Sequence, residues 1–360
     1  MTKETQQRSV LVVDDSAFMR KLICEMIEPL SAFRVAGTAR DGLDAIVQVE
    51  RLNPDIITLD LEMPGLDGLE VLRRIMSVAP RPVIVLSAGG IQYGDATLRA
   101  LELGAIDFVR KPSGPVSLDL PVIRDRLVAA LRAAASATIT LPPAVLEMPG
   151  SGTVVQAAAR ASARRVVVIA ASTGGPRALA EIIPQLPQSL CAAVVIAQHL
   201  PREFTAAFVE RLRRSSTISV REAVEGDALH EGTVYVARGG CNTLVGGVRG
   251  RAQLLVQQVG SRAAASPNAD ILFASASEVF EHACTGVVLT GMGRDGARGL
   301  AGIRQRGGGS LVQDQATSAI YGMPRAALAE AGADAVVALD AMAHAITHTV
   351  SAERLECQTA

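Results

Sequence analysis

The sequence has no tryptophan, and aromatic residues make up only 3% of its 360 positions. Its formal net charge is −1, and no long run of basic or acidic residues interrupts it. Proteins that bind nucleic acids carry a basic surface, and many of them stack bases on aromatic rings. The composition therefore argues against a nucleic acid as a partner.

Cysteine pairs and long hydrophobic runs are also missing. The five cysteines lie far apart and form no C-x-x-C pair, so we expect reduced thiols rather than a zinc site or disulfides. No stretch approaches the roughly 18 apolar residues that cross a bilayer. The first residues, MTKETQQRSV, lack the apolar segment of a secretory signal. We expect a cytoplasmic protein without membrane insertion.

Short β-branched segments alternate with segments of helical periodicity, a pattern typical of parallel α/β folds. Five such units fill residues 1–136, and the alternation resumes over residues 165–352. Residues 137–164 are rich in Pro, Gly, Ala, Ser and Thr and show no sustained apolar period. The sequence predicts two doubly wound parallel-sheet α/β domains, a flexible linker between them, and a short tail at 353–360.

The short β-branched segments predict the positions of the strands. In the first domain they are residues 10–13, 34–38, 55–60, 82–87 and 106–111. In the second domain they are residues 166–170, 192–197, 233–237, 254–259, 286–290 and 310–314. Amphipathic segments between successive strands predict the helices.

Reactive groups in an open parallel sheet gather at the carboxyl ends of its strands. In the first domain these ends carry Asp14, Asp15, Asp60, Ser87 and Lys111. Clustered carboxylates repel one another and attract a hard cation such as Mg²⁺. A neighbouring hydroxyl and amine suit a phosphoryl group, and a carboxylate such as Asp60 can accept one as an acyl phosphate. An Asp pair after a strand is more often a helix N-cap, so the prediction depends on all four strand ends together.

The second domain opens with VVIAASTGGPR, residues 167–177, which reads as a strand, a glycine-rich turn and a helix start. The turn has neither the G-x-x-x-x-G-K-[ST] of a P-loop nor the G-x-G-x-x-G of a dinucleotide site. It is closer to the nucleophile elbow G-x-S-x-G, with Ser172 as the serine, Gly174 as the last glycine, and Ala170 where the motif has its first glycine. Backbone N–H groups in such a turn bind an oxyanion. A plain serine N-cap is the alternative that the turn alone leaves open.

A serine nucleophile needs a base, and the chain has five histidines. Only His199 directly follows a buried strand pattern, VVIAQHLP, which predicts that it lies at the same sheet edge as Ser172. The segment GVVLTGMGRDGARGL supplies Asp295 after another strand, although a glycine-flanked Asp is often only a turn residue. These three residues form a candidate triad of nucleophile, general base and orienting acid.

Four segments of the first domain, LVVDDSAFMR, ITLDLEMPGLDGLEVL, VIVLSA and DFVRKP, resemble the receiver domain of two-component response regulators. The resemblance covers about residues 8–132 and implies a flavodoxin-like fold with Asp60 as the phospho-acceptor. It implies a Mg²⁺ site formed by Asp14, Asp15, Asp60 and the backbone carbonyl of Glu62. It also implies that Ser87 and Lys111 contact the phosphoryl group, and that a CheA-type histidine kinase is the phosphodonor.

The segments VIAASTGGPRAL, VVIAQHLP, ADILFASASEVF, GVVLTGMGRDGARGL and LVQDQATSAIYGMPRAA resemble the catalytic domain of the CheB family of protein-glutamate methylesterases. The resemblance covers about residues 164–350 and implies a Rossmann-like, α/β hydrolase-type domain without a cofactor. It implies that Ser172, His199 and Asp295 are the triad, with Thr173, Gly174 and Met292 at the oxyanion and substrate positions. The expected substrates are glutamate methyl esters, and also glutamines, of methyl-accepting chemotaxis receptors.

Two other functions remain open at this point. A response regulator whose second domain binds a partner without catalysis is disfavoured by the Ser, His and Asp at strand ends. A nucleotide-binding or phosphoryl-transfer enzyme is disfavoured by the missing P-loop lysine. We expect a phosphorylation-regulated serine hydrolase that serves adaptation in chemotaxis-type signalling.

Overall fold

The structure of the protein is a computed structural model that describes residues 7–87, 94–111, 120–139, 161–259 and 266–359. The chain divides into two compact units, Met1–Val145 and Leu146–Ala360. Most of the linker predicted at 137–164 lies outside the described residues. Among the described residues, no helix has the length and apolar character needed to cross a bilayer.

In the described residues of the first unit, five strands alternate with five helices. The strands are β1 (Arg8–Val13), β2 (Phe33–Ala39), β3 (Ile56–Asp60), β4 (Val83–Ser87) and β5 (Asp107–Arg110). The helices are α1 (Ala17–Ile27), α2 (Gly42–Leu52), α3 (Gly68–Val78), α4 (Gly94–Glu102) and α5 (Leu120–Ser136). All strands are parallel, in the order β2-β1-β3-β4-β5. This is the flavodoxin-like order, so the predicted fold is confirmed.

Short polar caps begin the first three helices soon after a strand ends. The side chains of Ser16, Asp41 and Asp67 each accept a hydrogen bond from a backbone N–H in the first turn of α1, α2 and α3. Strand β3 is buried along its whole length, because helices cover both faces of the sheet. The polar residues that follow each strand are therefore left at the one open edge.

The described residues of the second unit form nine strands and six α-helices. The strands are β6 (Val166–Ala171), β7 (Ala193–Gln198), β8 (Ser219–Glu222), β9 (Thr233–Val236), β10 (Cys241–Val248), β11 (Arg251–Gln258), β12 (Cys284–Val288), β13 (Gly309–Gln313) and β14 (Ala335–Val337). The helices are α6 (Gly175–Ile182), α7 (Arg202–Ser215), α8 (Ala269–Phe280), α9 (Ala297–Gln305), α10 (Met323–Glu330) and α11 (Leu339–Thr359). Seven strands form a parallel sheet in the order β14-β13-β12-β6-β7-β9-β8. The predicted parallel α/β class is confirmed here as well.

One strand prediction was wrong in its pairing. Residues 254–259 were expected to belong to the parallel sheet, but β11 pairs antiparallel with β10 in a separate two-stranded sheet. Gly247 and Gly250 have φ values of +91° and +86°, which suit the tight connection between these strands. The prediction missed β10 because two glycines interrupt its apolar alternation, and it missed the short edge strands β8 and β14.

The core of the second unit holds α8 and α9 against β12. Phe273 of α8 is fully buried. It fits against two glycines: a Cβ on Gly299 of α9 would lie 2.5 Å from the Phe273 Cβ, and one on Gly286 of β12 would lie 3.5 Å from its Cε2. The loop that carries Asp295 joins β12 to α9, so this packing sets where that loop begins and ends.

Replacing Phe273 by Ala tests this role. We expect a loss of about 3–5 kcal/mol in the free energy of unfolding, because truncation removes apolar contacts and leaves a cavity. Urea unfolding followed by circular dichroism measures the change. The control Val248→Ala, at a position 65% exposed, should shift the free energy by less than about 0.5 kcal/mol. Equal effects of the two variants would contradict the packing described here.

Candidate functional sites

The first sheet brings the predicted polar residues to the carboxyl ends of four strands. Asp14 and Asp15 follow β1, Asp60 ends β3, Ser87 ends β4 and Lys111 follows β5. The side chains of Asp14 and Asp60 are 0% and 1% exposed, whereas Asp15 is exposed. The predicted cluster is therefore present, with two buried carboxylates and one that faces solvent.

Lys111 links the two buried carboxylates. Its Nζ lies 2.8 Å from Asp14 Oδ2 and 2.6 Å from Asp60 Oδ2. Burial alone would lower the pKa of Lys111, but its hydrogen bonds to Asp14 and Asp60 outweigh burial and raise it. The lysine is therefore positively charged at neutral pH, and it is held between the two buried carboxylates.

Asp60 is not fully compensated by its neighbours. Burial raises the pKa of Asp60 to about 6, although the Lys111 amine and the Glu62 N–H lower it, and the negative charge of Asp14 adds to the rise. The Glu62 N–H donates to Asp60 Oδ1 at 3.0 Å. More positive charge beside Asp60 would favour its ionised, nucleophilic form.

The acidic cluster fits a hard divalent cation. Asp14, Asp15 and Asp60 each offer a carboxylate oxygen, and these atoms lie within 4.8 Å of one another. Oxygen-only ligand sets of this kind suit Mg²⁺. Within the described ranges, no other three His, Cys, Asp or Glu side chains come together in this way. The part expected of the Glu62 backbone carbonyl stays a prediction.

Ser87 has a partner that sequence reasoning missed. Its hydroxyl lies 2.7 Å from Thr97 Oγ1 in α4, and both residues are buried. The Ser87 carbonyl also accepts the backbone N–H of Lys111 at 2.9 Å. Thr97 lies inside an amphipathic helix, where nothing in the sequence distinguishes it from a core residue. The contact ties Ser87 to α4.

The second sheet places Ser172 and His199 at neighbouring strand ends. Ala171 at the end of β6 is in register with Gln198 at the end of β7, and the His199 N–H donates to the Ala171 carbonyl at 3.0 Å. Ser172 and His199 are the next residues on two strands that lie about 4.8 Å apart. The serine is half-buried. The structure thus brings the predicted nucleophile and base to the same edge.

Asp295 contacts His199 directly. The His199 Nε2 lies 2.8 Å from Asp295 Oδ2. The same carboxylate accepts backbone N–H groups from Ala269 at 2.8 Å and Asp270 at 3.0 Å, in the first turn of α8, and from Gly296 at 3.1 Å. The start of a helix is a favourable environment for a carboxylate. Asp295 is therefore held in place by α8 while it holds the imidazole.

The charge state of Asp295 follows from these contacts. Burial alone would raise its pKa, but the hydrogen bond from His199 and those from the Ala269 and Asp270 N–H groups outweigh burial and lower it. The side chain is therefore an anion at neutral pH. An anion bonded to Nε2 orients the ring, leaves Nδ1 as the free base, and stabilises the imidazolium that forms when the ring takes a proton.

The turn that carries Ser172 depends on its glycines. Gly174 has φ +79°, and a Cβ on it would lie 2.6 Å from the Ala319 Cβ. The Gly175 N–H donates to the Ser172 carbonyl at 2.8 Å and closes the turn. A Cβ on Gly175 would lie 2.0 Å from the Gln198 Oε1. Both glycines are therefore required for the sharp path from β6 into α6.

Two buried polar residues beside the triad were missed. The Gln198 Nε2 donates to the carbonyls of Ser172, at 3.0 Å, and His199, at 3.1 Å. The Thr290 carbonyl accepts the Ser172 N–H at 3.0 Å. Each is a polar residue at the end of an apolar strand pattern, VVIAQ and GVVLT, and that contrast was the available signal.

The predicted oxyanion residues lie around the same serine. Thr173 is buried in the turn, and a Cβ on Gly291 would lie 2.8 Å from the Ser172 Cβ. Met292 follows Gly291, and its side chain is 42% exposed. The loop of Met292 therefore begins against the nucleophile. The assignment of Thr173, Gly174 and Met292 to an oxyanion site stays a prediction.

Each of the two units matches a known protein family. Residues 167–346 match the family model of the CheB methylesterase, and residues 10–122 match that of the response regulator receiver domain. The protein-glutamate methylesterase/protein-glutamine glutaminase of Symbiobacterium thermophilum is 44% identical over 352 residues, which are 95% of this chain and 96% of that protein. The protein of the same name from Bacillus subtilis is 38% identical over 363 residues, 96% of this chain and 99% of its own length.

A solved structure is also similar to the second unit. The CheB methylesterase catalytic domain of Thermotoga maritima is 32% identical, with a TM-score of 0.49. The alignment covers 51% of this chain and 97% of that chain.

The pH dependence of stability tests the environment of Asp295. Because folding lowers its pKa, its contribution to stability is complete above the pKa of an unfolded Asp, about 3.9, and is lost as the pH falls through the folded value. We expect Asp295→Asn to be less stable than the wild type at pH 6, by about 1–3 kcal/mol. The difference in free energy of unfolding between the wild type and Asp295→Asn should become smaller between pH 5 and pH 3.

Urea unfolding at several pH values measures this gap. Asp125→Asn is the matched control, since that carboxylate is 74% exposed, and it should show little difference from the wild type at any pH. A gap for Asp295→Asn that stays constant from pH 6 to pH 3 would contradict the assignment.

Proposed function

The chain belongs to the CheB methylesterase family, with a receiver domain ahead of the catalytic domain, and we propose that it demethylates and deamidates chemotaxis receptors under the control of phosphorylation. It is a carboxylic-ester hydrolase, a protein-glutamate methylesterase that also acts as a protein-glutamine glutaminase. Relatives of that name align with about 95% of the chain, so both domains belong to the match. This supports the enzyme over a partner-binding domain without catalysis.

The observation that carries the catalytic assignment is the His199–Asp295 contact of 2.8 Å beside the strand end that holds Ser172. In the proposed reaction, Ser172 Oγ attacks the γ-carbonyl carbon of a glutamate methyl ester, and His199 takes the hydroxyl proton. Asp295 stays ionised and stabilises the imidazolium. His199 then returns the proton to the departing methanol, which leaves an acyl-serine.

Water completes the cycle through the same groups. His199 takes a proton from the water that attacks the acyl-serine, and Ser172 leaves with that proton. Backbone N–H groups of the turn at Thr173 and Gly174, and of the Met292 loop, stabilise the oxyanion in both steps. One such donor is worth about 3 kcal/mol. A glutamine side chain follows the same course and releases ammonia, because its amide is also an acyl donor.

We assign the control site to the receiver domain. Asp60 accepts a phosphoryl group from the phosphohistidine of a CheA-type kinase, and an acyl phosphate forms as the bond to the histidine breaks. Ser87 and Lys111 contact the phosphoryl oxygens. Asp14, Asp15, Asp60 and the Glu62 carbonyl would hold Mg²⁺, which when bound offsets the negative charge of the carboxylates and the phosphoryl group. The raised pKa of Asp60 supports a need for such a charge.

The expected setting of these reactions is the cytoplasm. The proposed substrate is a glutamate methyl ester on the cytoplasmic region of a receptor. None of the four cysteines with described side chains, Cys24, Cys191, Cys241 and Cys284, is in a disulfide, as expected of a protein in a reducing compartment.

Replacing Ser172 by Ala tests the proposed function. With methylated receptor cytoplasmic fragments as substrate, we expect methanol release to fall by at least about 10³-fold, because the acyl-serine cannot form. With unmethylated fragments that carry glutamine at the same sites, ammonia release should fall equally. Ser189→Ala, in an exposed turn, should keep both activities. Retention of either activity in Ser172→Ala would contradict a shared serine mechanism.

A further inference from the structure

One segment of the second unit has no role in the proposed reaction. Residues 314–322, DQATSAIYG, connect β13 to α10 and lie against the loop that starts at Thr290. Gly291 forms an isolated parallel bridge with Tyr321 of this segment. The segment was part of the pattern that resembles the CheB family, and neither catalysis nor phosphorylation accounts for it.

Thr290 stands between this segment and the nucleophile. It is buried, with 2% of its surface exposed. Its carbonyl accepts the Ser172 N–H at 3.0 Å, and its hydroxyl donates to the Thr173 carbonyl at 3.0 Å. The same hydroxyl oxygen accepts the Ile320 N–H at 2.9 Å. One residue therefore holds the nucleophile turn at two points and the 314–322 segment at a third.

The residue after Thr290 continues the connection. The Gly291 N–H donates to the Ile320 carbonyl at 3.0 Å, and the Gly291 carbonyl accepts the Met323 N–H at 2.8 Å. A Cβ on Gly322 would lie 2.7 Å from that carbonyl, so only glycine allows the approach without a shift. Hydrogen bonds of Thr290 and Gly291 therefore connect the Met292 loop to the turn of Ser172 on one side and to residues 320–323 on the other.

The segment has its own internal support. Gln313, at the end of β13, is buried, and its Oε1 accepts the Thr290 N–H at 2.8 Å while its Nε2 donates to the Thr317 carbonyl at 3.0 Å. The Thr317 N–H donates to Asp314 Oδ1 at 3.0 Å. These hydrogen bonds hold residues 314–322 in one position. Because Gln313 also binds the Thr290 N–H, they help to fix the position of Thr290.

From these contacts we propose that Thr290 is a positioning residue, which sets the spacing between Ser172 and the oxyanion loop, with residues 314–322 as its support. The inference rests on the proposed function. Thr290 does not touch the substrate; it acts through Ser172, Thr173 and Gly291. A hydroxyl is required because the same oxygen both donates and accepts. Valine has the same shape but does neither.

The kinetic consequence is specific. The transition state requires the serine oxygen and the oxyanion donors in one geometry, and a misplacement of about 1 Å can cost about 100-fold in rate. Because Thr290 is buried, its hydroxyl should contribute little to ground-state binding of the substrate. Loss of the Thr290 hydroxyl should therefore lower kcat and leave KM almost unchanged.

The test compares full-length Thr290→Val, Thr290→Ser and Thr285→Val with the wild type. Thr285 is the matched control, because it is 1% exposed and lies in β12, the strand that leads to Thr290. We expect Thr290→Val to lower kcat for methanol release by about 10- to 100-fold with KM within about threefold. Thr290→Ser, which keeps the hydroxyl, should recover kcat to within about threefold, and Thr285→Val should match the wild type to the same extent.

Hydrogen exchange provides a readout that does not need activity. In peptides that cover residues 171–175 and 318–323, Thr290→Val should exchange about tenfold faster than Thr285→Val, because two loops lose a shared hydrogen bond. If Thr290→Val does not fold, Gln313→Met removes the support of the Thr290 N–H and should give the same split between kcat and KM.

The outcomes separate this inference from the proposed function. A kcat for Thr290→Val within threefold of the wild type, an equal loss in Thr285→Val, or a loss confined to KM would overturn the positioning role. If the wild type releases neither methanol nor ammonia, the proposed function fails. The exchange data then decide by themselves: faster exchange in Thr290→Val supports the connection between the two loops, and unchanged exchange overturns it.

Discussion

Parallel strand pairing is the constraint on which both sites depend. Because β6, β7 and β12 are neighbours in one parallel sheet, residues far apart in sequence leave the sheet at the same edge. Ser172 follows β6, His199 follows β7, and Asp295 lies in the loop after β12. The same constraint collects Asp14, Asp60 and Lys111 at the edge of the first sheet. Neither site requires a special strand; each requires the correct strand order and polar residues at the strand ends or in the loops that follow them.

The pKa of a buried carboxylate is shifted in opposite directions at the two sites. The Asp295 carboxylate accepts hydrogen bonds from three backbone N–H groups and contacts the His199 imidazole. These contacts lower its pKa, so it stays ionised. The Asp60 carboxylate accepts one backbone N–H and shares the Lys111 amine with Asp14. Burial outweighs these contacts and raises the pKa of Asp60 to about 6. The first carboxylate orients a base and does not react. The second shares a single lysine with another buried carboxylate, so a cation bound beside it would favour its ionised form.

The sequence predicted both sheets and the polar residues at their strand ends, because apolar strands followed by polar or glycine-rich turns leave a clear local pattern. It assigned residues 254–259 to the wrong sheet, since a strand in a hairpin and a strand in a parallel sheet have the same alternation. It did not find Thr97, Gln198 or Thr290, whose hydrogen-bond partners are set by tertiary packing. The partners of Thr290 are 117 and 30 residues away in the chain, and no spacing rule connects them.

The central claim is that phosphorylation of Asp60 governs hydrolysis at Ser172. The most direct measurement is the rate of methanol release by the full-length protein with Mg²⁺, before and after addition of a small phosphoryl donor, for the wild type and Asp60→Asn. We expect a rise in rate for the wild type and none for Asp60→Asn, with equal rates for the two proteins when no donor is present. An equal rise in both proteins, or no rise in a wild type that is active and phosphorylated, would contradict it.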